Sequence, residues 1–281
     1  NHFLGVDVGD INGNGRDEIF VTNQVGNNLE SFALEINPKK KGFRYIWKDA
    51  KLYFRIIRPM GGEPVLMSQS AGYGNPFQGP IKKVVFKKGK YKQGRKLRTP
   101  EIYGTHFIVY GLTQQDLNGN GNAETILLDN NYHLRVYSQK GKLIIKSNDY
   151  YGHDPRMIDV GVEEDVSGAR EGDPVRFKGR LEFAKIGNDR FLFLPKNKTV
   201  GNGLLNKLVV VENSGLAFLK LTGEGFEKAF ESSQQKGFMA ASRVVPNSNG
   251  KGASVYMLRI DHDRICKSLS SSFSTYDWPA K

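Results

Sequence analysis

The chain has 281 residues, with 41 Lys plus Arg against 29 Asp plus Glu, a formal net charge of +12, 32 Gly, 17 Phe and 12 Tyr. That length holds one large all-β domain or two small ones, and an aromatic, glycine-rich mixture suits many short strands joined by tight turns. The single cysteine, Cys266, excludes an intrachain disulfide and any cysteine-based zinc site, and no apolar run reaches the roughly eighteen residues that a membrane helix needs.

The opening residues, Asn1-His2-Phe3-Leu4, do not read as a secretory signal, so a targeting segment is expected to lie outside this sequence. Residues 5–22 then read as strand, tight loop, strand, with the loop Asp10-Ile11-Asn12-Gly13-Asn14-Gly15-Arg16-Asp17-Glu18 at its centre. Strands are expected at 29–36 and 43–47. Residues 52–57 and 63–67 repeat the outline around a degenerate loop at 58–62. Two further strands follow at 82–86 and 91–97, and a second full copy at 111–128 carries Asp116-Leu117-Asn118-Gly119-Asn120-Gly121-Asn122-Ala123-Glu124.

Beyond it, strands are expected at 133–137 and 143–146, and an acidic, glycine-rich stretch at 147–175 reads as a long loop without a clear strand. Another outline copy spans 181–186 and 190–194, followed by strands at 207–212 and 216–221. Residues 224–232 fit either a short amphipathic helix or a β-edge. A last copy spans 239–245 and 253–258.

The two full copies align without a gap at an offset of 106 residues. That is too long for one four-stranded blade of roughly 40 to 60 residues and suits two. With loops beginning near 10, 58, 116, 186 and 246, the expected architecture is all-β. It is a single β-propeller over residues 1–281, built of four-stranded antiparallel blades, with at least five blades visible.

Each full loop places oxygen-bearing side chains at positions 1, 3, 5 and 9, a glycine at 6 for the sharp bend, and a main-chain carbonyl at 7. The expected ligands are Asp10, Asn12, Asn14, the Arg16 carbonyl and Glu18, then Asp116, Asn118, Asn120, the Asn122 carbonyl and Glu124. Oxygen-only donors favour calcium over zinc or copper, and flexible coordination favours it over magnesium. An EF-hand is excluded by the apolar Val21 and Leu127 at position 12, where it needs a bidentate glutamate, and by strands where it needs helices.

These loops resemble those of FG-GAP and VCBS repeats, also found in integrin α-subunit propellers. The resemblance implies two structural Ca²⁺ ions, each tying the first two strands of a blade together, in a bacterial protein of the envelope or extracellular space. Localisation is therefore expected to be extracellular, periplasmic or outer-membrane associated. Two carboxylates per loop imply weak affinity, about 10⁻⁴ to 10⁻³ M. The degenerate loops at 58, 186 and 246 are expected to hold no metal.

The strongest charge feature is the run Lys82, Lys83, Lys87, Lys88, Lys90, Lys92, Arg95, Lys96 and Arg98, which contains no acid. It reads as an outer hairpin, either a lysine-guarded edge or a patch for a polyanionic partner, reinforced by Lys39-Lys40-Lys41. A protein or acidic polysaccharide partner is expected. No nucleic-acid module is recognisable, which argues against sequence-specific nucleic-acid binding.

Catalytic sets are not legible. The histidines His2, His106, His133, His153 and His262 are scattered, and His153-Asp154 lies in the long insertion near Glu163, Glu164 and Asp165. The reading is a non-catalytic binding or scaffold module. The alternative is a propeller hydrolase or lyase for acidic polysaccharide, which requires the 147–175 insertion to reach the propeller axis.

Overall fold

The computed structural model describes residues 2–26, 28–37, 39, 41–59, 62–71, 76–97, 108–158, 175–199, 211–222, 225–262 and 269–278. Its elements are β-strands. In the first sheet β1 (His2–Gly9), β2 (Glu18–Val25), β4 (Ser31–Asn37) and β5 (Gly42–Ala50) lie side by side, and the short β3 (Asn28–Leu29) pairs with β2. The second contains β6 (Leu52–Ile57), β7 (Val65–Ser70), β8 (Gln78–Lys87) and β9 (Lys90–Lys96), and the third β10 (Leu112–Gln115), β11 (Glu124–Leu128), β12 (His133–Tyr137) and β13 (Leu143–Tyr150). A two-stranded ribbon, β14 (His153–Ile158) with β15 (Val175–Lys178), separates these from the fourth sheet. That sheet comprises β16 (Glu182–Ile186), β17 (Asp189–Thr199), β18 (Val211–Leu221) and β19 (Phe226–Glu231), with β20 (Gln235–Lys236) paired to β18. The fifth contains β21 (Phe238–Pro246), β22 (Ala253–His262) and β23 (Leu269–Trp278).

Pairing is antiparallel, and spatial order follows chain order along each sheet. This is the up-and-down pattern of a propeller blade, and the protein is a five-bladed β-propeller. The five loops predicted from the repeat all join the first two strands of a blade.

The core lies between successive blades. Phe20 and Ala33 of blade 1 pack on Leu52, Phe54, Ile56 and Leu66 of blade 2, and Phe20 meets Phe54 edge-on at 5.8 Å. Ile126 and Val136 of blade 3 meet Leu192, Leu194 and Leu219 of blade 4. Phe193 and Phe218 of blade 4 meet Met239, Val255 and Met257 of blade 5. Burial on two faces explains β11, Glu-Thr-Ile-Leu-Leu, in which every residue is buried.

Two expectations need correction, and one open alternative is decided. The residues expected to form separate strands at 207–212 and 216–221 belong from Val211 onward to one continuous strand, β18, because Gly215 stays in the ladder opposite Lys196; residues 207–210 lie outside the described set. Of the two alternatives for residues 224–232 the β-edge holds: residues 226–231 form an edge strand, β19, whose pairing with β18 satisfies its backbone. The 147–175 stretch is not structureless: β13 extends to Tyr150, and β14 pairs with β15. Blade 5 shows three strands among the described residues where the repeat predicts four.

Candidate metal loops and the axial ion layer

The β1–β2 and β10–β11 loops fold to the same hydrogen-bonding plan. In the first, Asp10 Oδ1 accepts from the backbone N–H of Gly13 (2.7 Å) and Asn14 (3.2 Å), and Oδ2 accepts from Gly15 (2.8 Å). In the second, Asp116 Oδ1 accepts from Gly119 (2.8 Å) and Asn120 (3.1 Å), and Oδ2 from Gly121 (2.8 Å). Asn12 and Asn14 accept from the N–H groups two residues on, as do Asn118 and Asn120. Glu18 and Glu124 each accept from the backbone of the residue after the aspartate, Ile11 and Leu117, both at 2.8 Å, and from the Asn12 or Asn118 amide.

The tight wrap needs left-handed backbone at Gly13, Gly15, Gly119 and Gly121, with φ between 74° and 81°; a side chain there would be strained.

The loops thus bring Asp10, Asn12, Asn14, Glu18 and their counterparts Asp116, Asn118, Asn120, Glu124 together, and carry the carbonyl-bearing Arg16 and Asn122 beside them. Among the described residues no group of three His, Cys, Asp or Glu side chains forms a metal cluster. Each loop offers two carboxylates, so a cation would rely on amide and main-chain oxygens for its remaining ligands. That donor chemistry fits a hard cation. Burial raises the pKa of Glu18 despite the Ile11 N–H, and the charge of Asp10 adds to the rise; a divalent cation would offset both effects.

The first loop has two neighbours that sequence reading missed. Asn14 donates from Nδ2 to Glu35 at 2.6 Å, and the buried Glu35 also accepts from Arg44 at 2.6 Å; the Asn14 bond and Arg44 hold the Glu35 carboxyl below its ordinary range. Its signal was alternation: Ser31, Ala33 and Glu35 are the buried side of β4. Asn12 also donates to the Tyr91 hydroxyl at 3.3 Å. Tyr91 belongs to the basic hairpin and is wedged against Phe20 and Trp47.

That hairpin forms as expected, turning at Lys88 and Gly89, both at positive φ. Lys83, Lys87, Lys88, Lys90, Lys92, Arg95 and Lys96 are exposed, and Lys82 is half-buried. Arg98 lies outside the described residues. Lys39 and Lys41 are exposed at the β4–β5 turn, while Lys40 lies outside the described set. Alternating strand direction puts the first and third turns of a blade on one face, so both basic turns share the face of the metal loops.

The inner strands carry a buried ionic layer that the sequence did not disclose. Asp7 on β1 accepts from Arg180 and lies 3.5 Å from Arg55 on β6. Arg180 also reaches Glu182 at 3.5 Å, and Glu182 pairs with Arg243 at 3.3 Å while accepting the Val244 N–H at 2.9 Å. Away from the metal loops the axis is closed by aromatics: Arg55 lies 4.8 Å over the Tyr110 ring, and Tyr110 packs on Phe77 and Phe177.

The ribbon supplies Phe177 and Ile158 to this plug, so the insertion does reach the axis, with apolar groups. Asp154 is committed to both arms of Arg156, and Glu163, Glu164 and Asp165 lie outside the described residues. His153 stacks on Tyr132 at 3.9 Å, and burial, aided by the Lys178 cation, lowers its pKa from 6.5 to about 4. A depressed histidine pKa means that the unfolded chain binds the proton first. Stability is therefore expected to be full above pH 6.5 and to fall as the pH drops from there to about 4. Urea midpoints of wild type and His153→Gln across that window check this: the variant should show the shallower slope.

No family model matches the chain, and no curated protein matches it. Among solved structures, it is similar to the crystal structure of a protein from Lactobacillus plantarum, at 12% identity, over 95% of this chain and 83% of that one, with a TM-score of 0.36.

Proposed function

We propose that this propeller is a non-catalytic binding module of the FG-GAP/VCBS type, stabilised by two Ca²⁺ ions and holding an acidic polysaccharide on its metal-loop face. The observation that supports the partner most is the pairing of like charges in the β8–β9 hairpin. Lys82 faces Lys96 and Lys87 faces Lys90 across the ladder. Directly opposed like charges destabilise a sheet, and a bound polyanion relieves that repulsion.

Support for calcium comes from the shared geometry of the two oxygen-donor loops. The Asn12–Tyr91 bond links the first of them to the hairpin, so an ordered loop also steadies the binding surface. Weak calcium sites of this kind fit an extracellular, periplasmic or outer-membrane setting, where the ion is plentiful.

Combined Lys87→Glu, Lys88→Glu, Lys90→Glu and Lys92→Glu substitution is expected to abolish salt-sensitive retention on heparin and polygalacturonate resins while leaving the melting temperature within a few degrees. Retention of the wild type should fall as salt shortens the screening length to about 10 Å at 0.1 M. Equal retention of variant and wild type contradicts the assignment.

A further inference from the structure

A cleft of about 460 Å³ opens on the axis at the metal-loop face, between the ends of β6, β10, β16 and β21. Its size lies within the range of small-molecule sites. Its walls carry Arg58, Arg180 and Arg243, with Glu182 as the acid among the lining residues.

The charges of this cleft do not balance. Asp7 is shared by Arg180 and Arg55, and Glu182 by Arg180 and Arg243. Arg58 has no carboxylate partner among the described residues; its guanidinium donates to the Val8 carbonyl at 3.2 Å. Four arginines thus meet two carboxylates, leaving two positive charges uncompensated. Glu182 and Asp17 act on Arg58 at a distance without forming an ion pair with it, and the exposed Lys185 adds a further cation at the rim. Burial, then the cation of Arg243, hold the Arg58 guanidinium below its ordinary pKa.

Both carboxylates are already held by other partners: Asp7 by Arg180 and Arg55, Glu182 by Arg180, Arg243 and the Val244 N–H. Neither is free to turn and neutralise Arg58. The guanidinium forks of Arg58 and Arg243 come from different blades, an arrangement suited to two oxyanions of one ligand.

We infer that the axial cleft binds a small dianion, a phosphate ester or a dicarboxylate, between Arg58 and Arg243. This site is separate from the lysine hairpin and requires no calcium. A hydrophobic or neutral ligand would leave the excess charge desolvated, at a cost that an anion removes.

The test is isothermal titration of the purified chain at low ionic strength with inorganic phosphate and, separately, with malonate. At least one should bind at one site per chain, and which of them binds tighter distinguishes a phosphate ester from a dicarboxylate. Arg58→Gln should weaken that binding about tenfold to a hundredfold, and Arg58→Lys should restore part of it. The Lys87, Lys88, Lys90, Lys92 charge-reversal variant should bind as the wild type does, which separates this site from the polysaccharide surface. Because Arg58 pairs with no carboxylate, its replacement should leave the melting temperature little changed. Should Arg58→Gln nonetheless fail to fold, protection of Arg58 in the wild type against phenylglyoxal by whichever of the two anions binds gives the same readout. Binding of neither anion at 10 mM, equal binding by wild type and Arg58→Gln, or the absence of that protection overturns the inference.

Discussion

Asp7→Ala is expected to destabilise the propeller by about 3–5 kcal/mol, the cost of removing one partner from a buried ionic group. Asp7 is 3% exposed and stands between Arg55 and Arg180. The two arginines respond differently to it. Burial works against the charge of Arg180, but Asp7 and Glu182 overcome it and hold its pKa above the ordinary value. For Arg55, burial and then the Arg180 charge outweigh the more distant Asp7, and its pKa falls. Alanine at position 7 therefore leaves two desolvated cations facing each other where blades 1, 2 and 4 meet. Asp7→Asn retains an acceptor for Arg180 and should cost less. Urea unfolding checks both. A loss below about 1 kcal/mol for Asp7→Ala would show that water or neighbouring groups already solvate the layer.

Removal of the proposed calcium ions is expected to be the second large effect. Two sites at about ten times their Kd contribute roughly 3 kcal/mol together, enough to shift the melting temperature of a chain this size by several degrees. Asp10→Ala and Asp116→Ala should each remove about half of that stabilisation in calcium, and their effects should add, because the loops belong to different blades. In excess chelator each should retain only the smaller cost of its lost amide acceptors, about 1 kcal/mol. Melting curves of the two single variants and the double variant, with and without chelator, separate the metal contribution from the hydrogen bonds. Identical losses in calcium and in chelator would assign the whole effect to the loop's own bonds.

The blade plan was legible because the Asp-x-Asn-Gly-Asn-Gly loops punctuate the chain and because strand alternation survives in the degenerate copies. Residues 52–57 were expected to form a strand, and β6 covers that range. The tertiary features were not legible. Asp7 sits between Val6 and Val8, and Arg55 lies inside Leu-Tyr-Phe-Arg-Ile-Ile; local pattern says that each faces one side of a strand, but not that the side is the propeller axis. Arg180 and Glu182 join them only because blade 4 meets blade 1 across a separation of 173 residues between Arg180 and Asp7. The ribbon of β14 and β15 was missed for another reason. Its strands are separated by an acidic, glycine-rich stretch, and such composition reads as loop even where backbone pairing flanks it.

Calcium uptake at equilibrium, measured on the decalcified chain by titration calorimetry with the melting temperature followed in parallel, tests the proposed calcium-stabilised binding module most directly. The account predicts two sites with Kd of about 10⁻⁴ to 10⁻³ M, one site left in Asp10→Ala or in Glu124→Ala, and a melting temperature that climbs with calcium. No uptake up to 10 mM calcium, together with a melting curve unchanged by chelator, would contradict it.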